Sequence, residues 1–101
     1  MAELKDRLRT DLSTAIKSRD TVTVATLRMA LTAITTEEVS GSSARELSDD
    51  EVLAVLAREA KKRREAAEVF ATAGRDELAT RERAEGQRLA ATVMAALQPG
   101  S

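Results

Sequence analysis

Apolar residues recur every three or four positions in four separate stretches of this chain, and nowhere do they alternate one by one with polar ones. That period is the signature of amphipathic helices and excludes half-buried strands. Leu4, Leu8, Leu12, Ala15 and Ile16 mark a first helix from about Ala2 to Ser18. Asp20 is placed to N-cap a second, about Thr21 to Val39, since its carboxylate can accept from the free amides of a first turn. Val24, Leu27, Leu31 and Ile34 form the main stripe of that helix, and Val22, Met29 and Ala33 form a second one opposite. A helix apolar on two sides is expected between neighbours, as the spine of the fold. Val39 to Leu47, with Ser40-Gly41-Ser42-Ser43 inside it, reads as a flexible loop.

The third helix has a strong start signal. Ser48 followed by Glu51 fits a capping box, and Asp49, Asp50 and Glu51 place negative charge at the positive end of the helix dipole. Its stripe is Val52, Leu56, Ala60, Ala67 and Phe70, and Gly74 is a natural terminator. Two dozen positions at ~1.5 Å each predict a rod of about 35 Å. A fourth helix restarts at Asp76, expected to cap it, and carries Leu78, Leu89, Val93, Ala96 and Leu97. Gly86 lies inside this helix at a cost of about 1 kcal/mol relative to alanine. The expected fold is all-α: a four-helix bundle-like array with a long third helix, one domain over residues 1–98, and a disordered tail at 99–101.

Composition narrows what such a bundle can do. At 101 residues the chain makes one domain, and Phe70 is its sole aromatic, so leucine, valine, isoleucine and many alanines must build a thin core. Sixteen Lys and Arg against 17 Asp and Glu give a formal charge of -1, which announces neither nucleic acid nor an anionic membrane. There is no Cys and no His. Disulfides, thiolate nucleophiles, zinc–sulfur sites and Ser-His-Asp or Cys-His catalysis are therefore excluded. Lys5, Lys17, Lys61 and Lys62 all have charged sequence neighbours and are expected on solvated faces, not in a pocket that would activate one of them. No catalytic residue, cofactor site or metal site is expected. A charged N-terminus and the lack of any run near 20 apolar residues predict a cytoplasmic protein without membrane association.

Six basic positions invite a partner. Arg58, Lys61 and Lys62 project from the outer side of the third helix, opposite Val52, Leu56 and Phe70, and are candidates for RNA or protein contact. The competing reading is a solvated face laced by Glu59–Arg63, Lys61–Glu65 and Arg64–Glu68 pairs four residues apart. Arg75, beside Gly74 at a helix–helix turn, is a fourth contact candidate. Arg63 differs because it lies within the apolar stripe. A buried guanidinium needs a carboxylate, and Glu82, Glu85 and Glu38 are the candidates, with Glu82 favoured for its place on the fourth helix. Met29 is expected in the core, and Arg28 either in a surface ion pair or in a ligand groove.

Three segments together resemble the GatB/YqeY family: Leu4 to Lys17, TLRMALTAITTEEV from Thr26 to Val39, and ELSDDEVLAVLAREAKKRREAAEVFATAGRDELATRERAE from Glu46 to Glu85. They carry, in order, the Arg-Met pair, the L-[ST]-D-[DE]-E-V helix start and the K-x-R…F…AGR-[DE]-[DE]-L run. The resemblance implies a helical N-terminal subdomain normally joined to a smaller helical C-terminal one. It also implies kinship with the tail of the B subunit of the tRNA-dependent amidotransferase, where the module helps engage tRNA. A glutamine-dependent carbon–nitrogen ligase association comes with it, although the catalytic centres of that system lie outside the module. After Glu85 the sequence reads GQRLAATVMAALQPGS and departs from the family's E-Y-L-P-like continuation, so the C-terminal subdomain and its tRNA contacts are expected to be lacking. The implied function is a non-catalytic interaction module that engages tRNA, a tRNA-bound protein or amidotransferase and translation proteins. Its alternatives are an amidotransferase accessory within a complex and a self-associating, homo-oligomeric domain.

Overall fold

A computed structural model describes residues 3–97. All four predicted helices are present: α1 (Glu3–Ser18), α2 (Thr21–Glu38), α3 (Asp49–Thr72) and α4 (Asp76–Leu97), with no strand among the described residues. The expected disordered tail at 99–101 lies outside the described residues, and the side chains of Ala96 and Leu97 are likewise not described.

Two helical hairpins, α1–α2 and α3–α4, are built with the same turn. Helix α1 ends with Arg19 N donating to Ile16 O at 3.2 Å and Asp20 N to Ala15 O at 3.0 Å. Helix α3 ends with Gly74 N donating to Ala71 O at 3.1 Å and Arg75 N to Phe70 O at 2.8 Å. Both are Schellman closures, which satisfy the last carbonyls by turning one residue left-handed. Gly74 does so at φ 76° without steric cost, whereas Arg19 holds φ 59° with a Cβ in the way. Replacing Arg19 with glycine is expected to raise the unfolding free energy by about 0.5–1 kcal/mol; urea denaturation checks this, and a loss of stability contradicts it.

Asp20 caps α2 as expected, accepting from Thr23 N at 3.2 Å and from Thr23 Oγ1 at 2.6 Å. At α4 the reading shifts by one position. Asp76 is the first helical residue and not its cap; Arg75 precedes it and accepts from Ala79 N at 3.0 Å through its carbonyl. Asp76 serves the helix by charge at its positive end.

The core gathers Leu4 and Leu8 from α1, Leu27, Ala30 and Ile34 from α2, Val52, Val55, Leu56 and Ala60 from α3, and Leu89 from α4. Helix α2 touches all three other helices, as a helix with two apolar sides should. The most extensive interface is nevertheless α3 against α4. Gly86 lies at its centre: a Cβ built there would stand 3.2 Å from Arg63 Cβ and 3.7 Å from Ala60 O, so the two helices approach more closely than most side chains would allow without a shift of a few tenths of an ångström.

Three expectations about burial are corrected. Ile16 is 49% exposed, because Ala15 takes the inward position and the next residue lies about 100° round the helix. Phe70 is only half-buried and stands outside the core cluster, since the Gly74 end of the hairpin is closed by the small Ala67 and Ala79 instead. Lys5 is not solvated but buried, for a reason that also fixes the loop between α2 and α3.

That loop, expected to be flexible, is pinned at its far end. Glu38 receives Lys5 Nζ on both oxygens, at 2.8 and 2.9 Å, and Leu47 N at 3.1 Å. The Glu38 backbone carbonyl accepts from Arg45 N at 3.1 Å, and Leu47 is buried in the core. One carboxylate thus ties the start of α1, the end of α2 and the approach to α3.

Candidate functional site

Helix α3 carries four of the candidate residues, Arg58, Lys61, Lys62 and Arg63, and its first turn is firmly capped. Ser48 Oγ accepts from Glu51 N at 3.2 Å, and Glu51 Oε1 accepts from Ser48 N at 3.0 Å, completing the capping box. Arg45 grips the same carboxylate with both Nη atoms. The Arg45 hydrogen bond, followed by the Ser48 amide, holds the Glu51 carboxyl at about 2, well below its ordinary 4.5.

From this fixed start, Arg58 and Lys62 emerge one turn apart toward α2. Arg58 Nη2 lies 3.4 Å from Glu37 Oε1, and Lys62 Nζ lies 3.1 Å from Glu59 Oε2. With Arg28, Met29, Thr32 and Glu37 from α2, they line a groove of about 630 Å³ between the two helices. A smaller hollow of about 330 Å³ adjoins it across the Arg58–Glu37 pair, walled by the 40–47 loop. Met29 is half-buried, packing on the core from one side and lining the groove from the other. Arg28 is exposed, lines the same groove and makes no ion pair among the described residues.

Lys61 does not join Arg58 and Lys62 in the groove; it is exposed without an ion pair among the described residues. The expected Glu59–Arg63, Lys61–Glu65 and Arg64–Glu68 pairs do not form among them either. Glu59 is buried toward α2 and takes Lys62 three residues on, while Arg63 turns toward α4. Arg75 stands exposed at the tip of the α3–α4 hairpin.

Arg63 Nη1 lies 3.4 Å from Glu82 Oε2, with both side chains largely covered. The contact is electrostatic and not a formed hydrogen bond, as Arg63 Nε and Glu82 Oε2 have no hydrogen-bond partner. Of the other two carboxylates proposed for Arg63, Glu38 is committed to Lys5. Glu85 is close enough to feel both Arg63 and Glu82, and burial, reinforced by Glu82, raises its pKa. A carboxyl raised on folding contributes stability below its unfolded pKa that is lost as pH rises through the folded value. Glu85→Gln is therefore expected to raise Tm at pH 7, with the gain vanishing below about pH 4; a gain that persists in acid contradicts the assignment.

Two residues of the site region were missed in sequence: Lys5, whose charged neighbours argued for solvent, and Gly86, which read only as a propensity cost. A lysine between Leu4 and Leu8, on the stripe's own flank, was the available signal for the first.

Among the described residues no group of three or more acidic side chains gathers to hold a metal ion, and no helix is long and apolar enough to cross a membrane.

The family model for YqeY-like proteins matches residues 5–99. The chain belongs to the YqeY-like family. The match runs past Glu85 and takes in the second half of α4. No curated protein matches the chain.

Proposed function

We propose that this YqeY-like chain is a non-catalytic interaction module of the cytoplasmic tRNA machinery. It contacts tRNA, or a protein bound to tRNA, along the outer rim of α3, with Arg75 as a secondary contact at the hairpin tip. The observation that carries this reading is the convergence of Arg28, Arg58 and Lys62 on the α2–α3 groove, with an unpaired Lys61 beside it. The Arg58–Glu37 pair is exposed and open to competition, since such pairs contribute only about 0–1 kcal/mol. A phosphate can therefore take Arg58 from Glu37 at little cost. Glu59 stays behind as a buried anion, which directs a polyanion to the rim and away from the groove floor. Contact of this kind reads phosphates and shape, not bases, because the single aromatic residue offers no stacking platform.

Fluorescence titration with tRNA tests the reading. Binding is expected at ~50 mM salt, falling steeply with added salt, and weakened by joint charge reversal of Arg58, Lys61 and Lys62. Binding insensitive to that reversal, or absent at ~50 mM salt, removes the RNA reading. Turnover of a substrate by the purified chain alone removes the non-catalytic one. Co-purification with amidotransferase subunits would instead favour an accessory role in a complex. The exposed Val69 and Met94 support a self-associating alternative, which light scattering over a concentration range resolves.

A further inference from the structure

We propose that the α2–α3 groove is a gated phosphate site: Glu37 occupies Arg58 in the free chain and yields it to a phosphate of a chain that also engages Arg28. This site deepens the tRNA reading and rests on it for RNA as the source of the phosphates. The charged side chains lining the groove are Arg28, Arg58 and Lys62 against Glu37 and Glu59. Each carboxylate takes one cation, Glu37 with Arg58 and Glu59 with Lys62. Arg28 takes none among the described residues, and no acidic residue of the groove is left over to cancel it. The groove therefore selects an anion.

The two carboxylates are held differently. Glu59 has a side chain only 11% exposed and keeps Lys62 at 3.1 Å, so it stays in place. The Glu37 side chain is 46% exposed and reaches an Arg58 that is itself 60% exposed, at 3.4 Å. Such a pair is weak. Glu37 also lies in the last turn of α2, which carries no basic residue and where the helix dipole disfavours a carboxylate. Its neighbour Glu38 is fixed by Lys5 and the Leu47 amide, whereas Arg58 is the one cation that Glu37 reaches among the described residues. A phosphate offers Arg58 more charge and more acceptor oxygens than Glu37 does. The released carboxylate has a place to go, because the adjoining hollow of about 330 Å³ is also lined by Ser40, Ser43 and Arg45. Arg45 already feels it: Glu51 chiefly, and Glu37 in addition, raise the Arg45 pKa. Arg28, Thr32 and Thr36 follow at one-turn intervals along the α2 wall, as Arg58 and Lys62 do along the α3 wall. Donors repeating at about 6 Å suit the repeat of a nucleic-acid backbone better than a compact anion, which favours RNA over a free polyphosphate.

Two probes test it on the full chain at ~50 mM salt: inorganic tripolyphosphate, followed by 15N signals, and dye-labelled tRNA, followed by fluorescence. Glu37→Gln is expected to tighten the binding of both about threefold, the scale of an exposed pair, and to change neither in an Arg58→Gln background. Glu68→Gln removes the same charge from α3 outside the groove and is expected to change binding less than about 1.5-fold. Arg28→Gln weakens both probes at least about threefold. The tripolyphosphate arm decides the gate. It is overturned if tripolyphosphate moves no signal of Arg28 or Arg58, or if Glu37→Gln does no more than Glu68→Gln. It is equally overturned if the gain survives in the Arg58→Gln background. The tRNA arm decides the source. If tRNA fails to bind, or binds without regard to Glu37→Gln, while tripolyphosphate shows the gate, RNA is removed as the ligand of this site. If tRNA binds and the tripolyphosphate arm fails, the gate falls and the tRNA reading stands without it.

Discussion

Glu38→Ala is expected to lower the unfolding free energy by about 3 kcal/mol, the low end for breaking a buried ion pair. In a domain of this size that shifts Tm downward by more than about 10 °C. Glu38 reaches three segments at once: Lys5 on α1, its own helix α2, and the Leu47 amide before α3. The side chains of Lys5 and Glu38 are each only 11% exposed. Truncation leaves the Lys5 ammonium and the Leu47 N–H without a partner in a covered site, and the desolvation of both is then uncompensated. The reference experiment is the double variant Lys5→Met/Glu38→Leu, which removes both charges together and is expected to regain most of the loss. Urea denaturation of the two variants decides the matter. A cost below about 0.5 kcal/mol for Glu38→Ala would place the pair among surface ion pairs and dissolve the argument for a pinned loop.

The same pair gives the fold its acid limit. The Lys5 hydrogen bond lowers the Glu38 pKa, and the Arg45 hydrogen bond lowers that of Glu51 to about 2. A carboxyl depressed on folding contributes stability that is present above its unfolded pKa, near 4.5, and lost as pH falls through the folded value. Unfolding is thus expected to become easier below about pH 4.5, with Glu38→Ala flattening that dependence.

Gly86→Leu is expected to destabilise the chain by about 3 kcal/mol, at the upper end of overpacking. Its Cβ alone would meet Arg63 Cβ at 3.2 Å, and that neighbour is fixed to the α3 backbone, not the mobile end of a side chain. Helix α4 must therefore rise off α3, loosening Leu89 in the core and drawing Glu82 away from Arg63. Gly86→Ala sets two effects against each other: a helix-propensity gain of about 1 kcal/mol and a contact too close by a few tenths of an ångström. Its net effect is small, whereas the leucine variant has no such compensation. Equal stability of the leucine variant and the parent chain would show that the helices can separate freely.

How far the sequence carries depends on the range of the interaction. Helix boundaries were legible because capping is local: Ser48 and Glu51 are three residues apart, and each finds the other's backbone whatever the rest of the chain does. Placing Arg63 beside Glu82 needed one further step, the inference that a cation on an apolar stripe requires a carboxylate on the facing helix. The partners of Lys5, Arg58 and Lys62 were not legible. Lys5 and Arg58 find theirs on another helix and Lys62 takes the one three residues before it, choices that fall to helices whose rotation sequence does not fix. The α2–α3 groove belongs to the same category, since it exists only where two helices diverge around Met29 and Val55.

Periodic leucines and alanines, with the turn residues between them, determined by themselves that this chain forms four helical rods, because helix formation and termination depend on residues within one or two turns. The tertiary structure alone decided that Gly86 sets the α3–α4 spacing, that a buried lysine locks the loop, and which cations remain free for a partner. These outcomes depend on distances between segments remote in sequence, and only packing sets those distances.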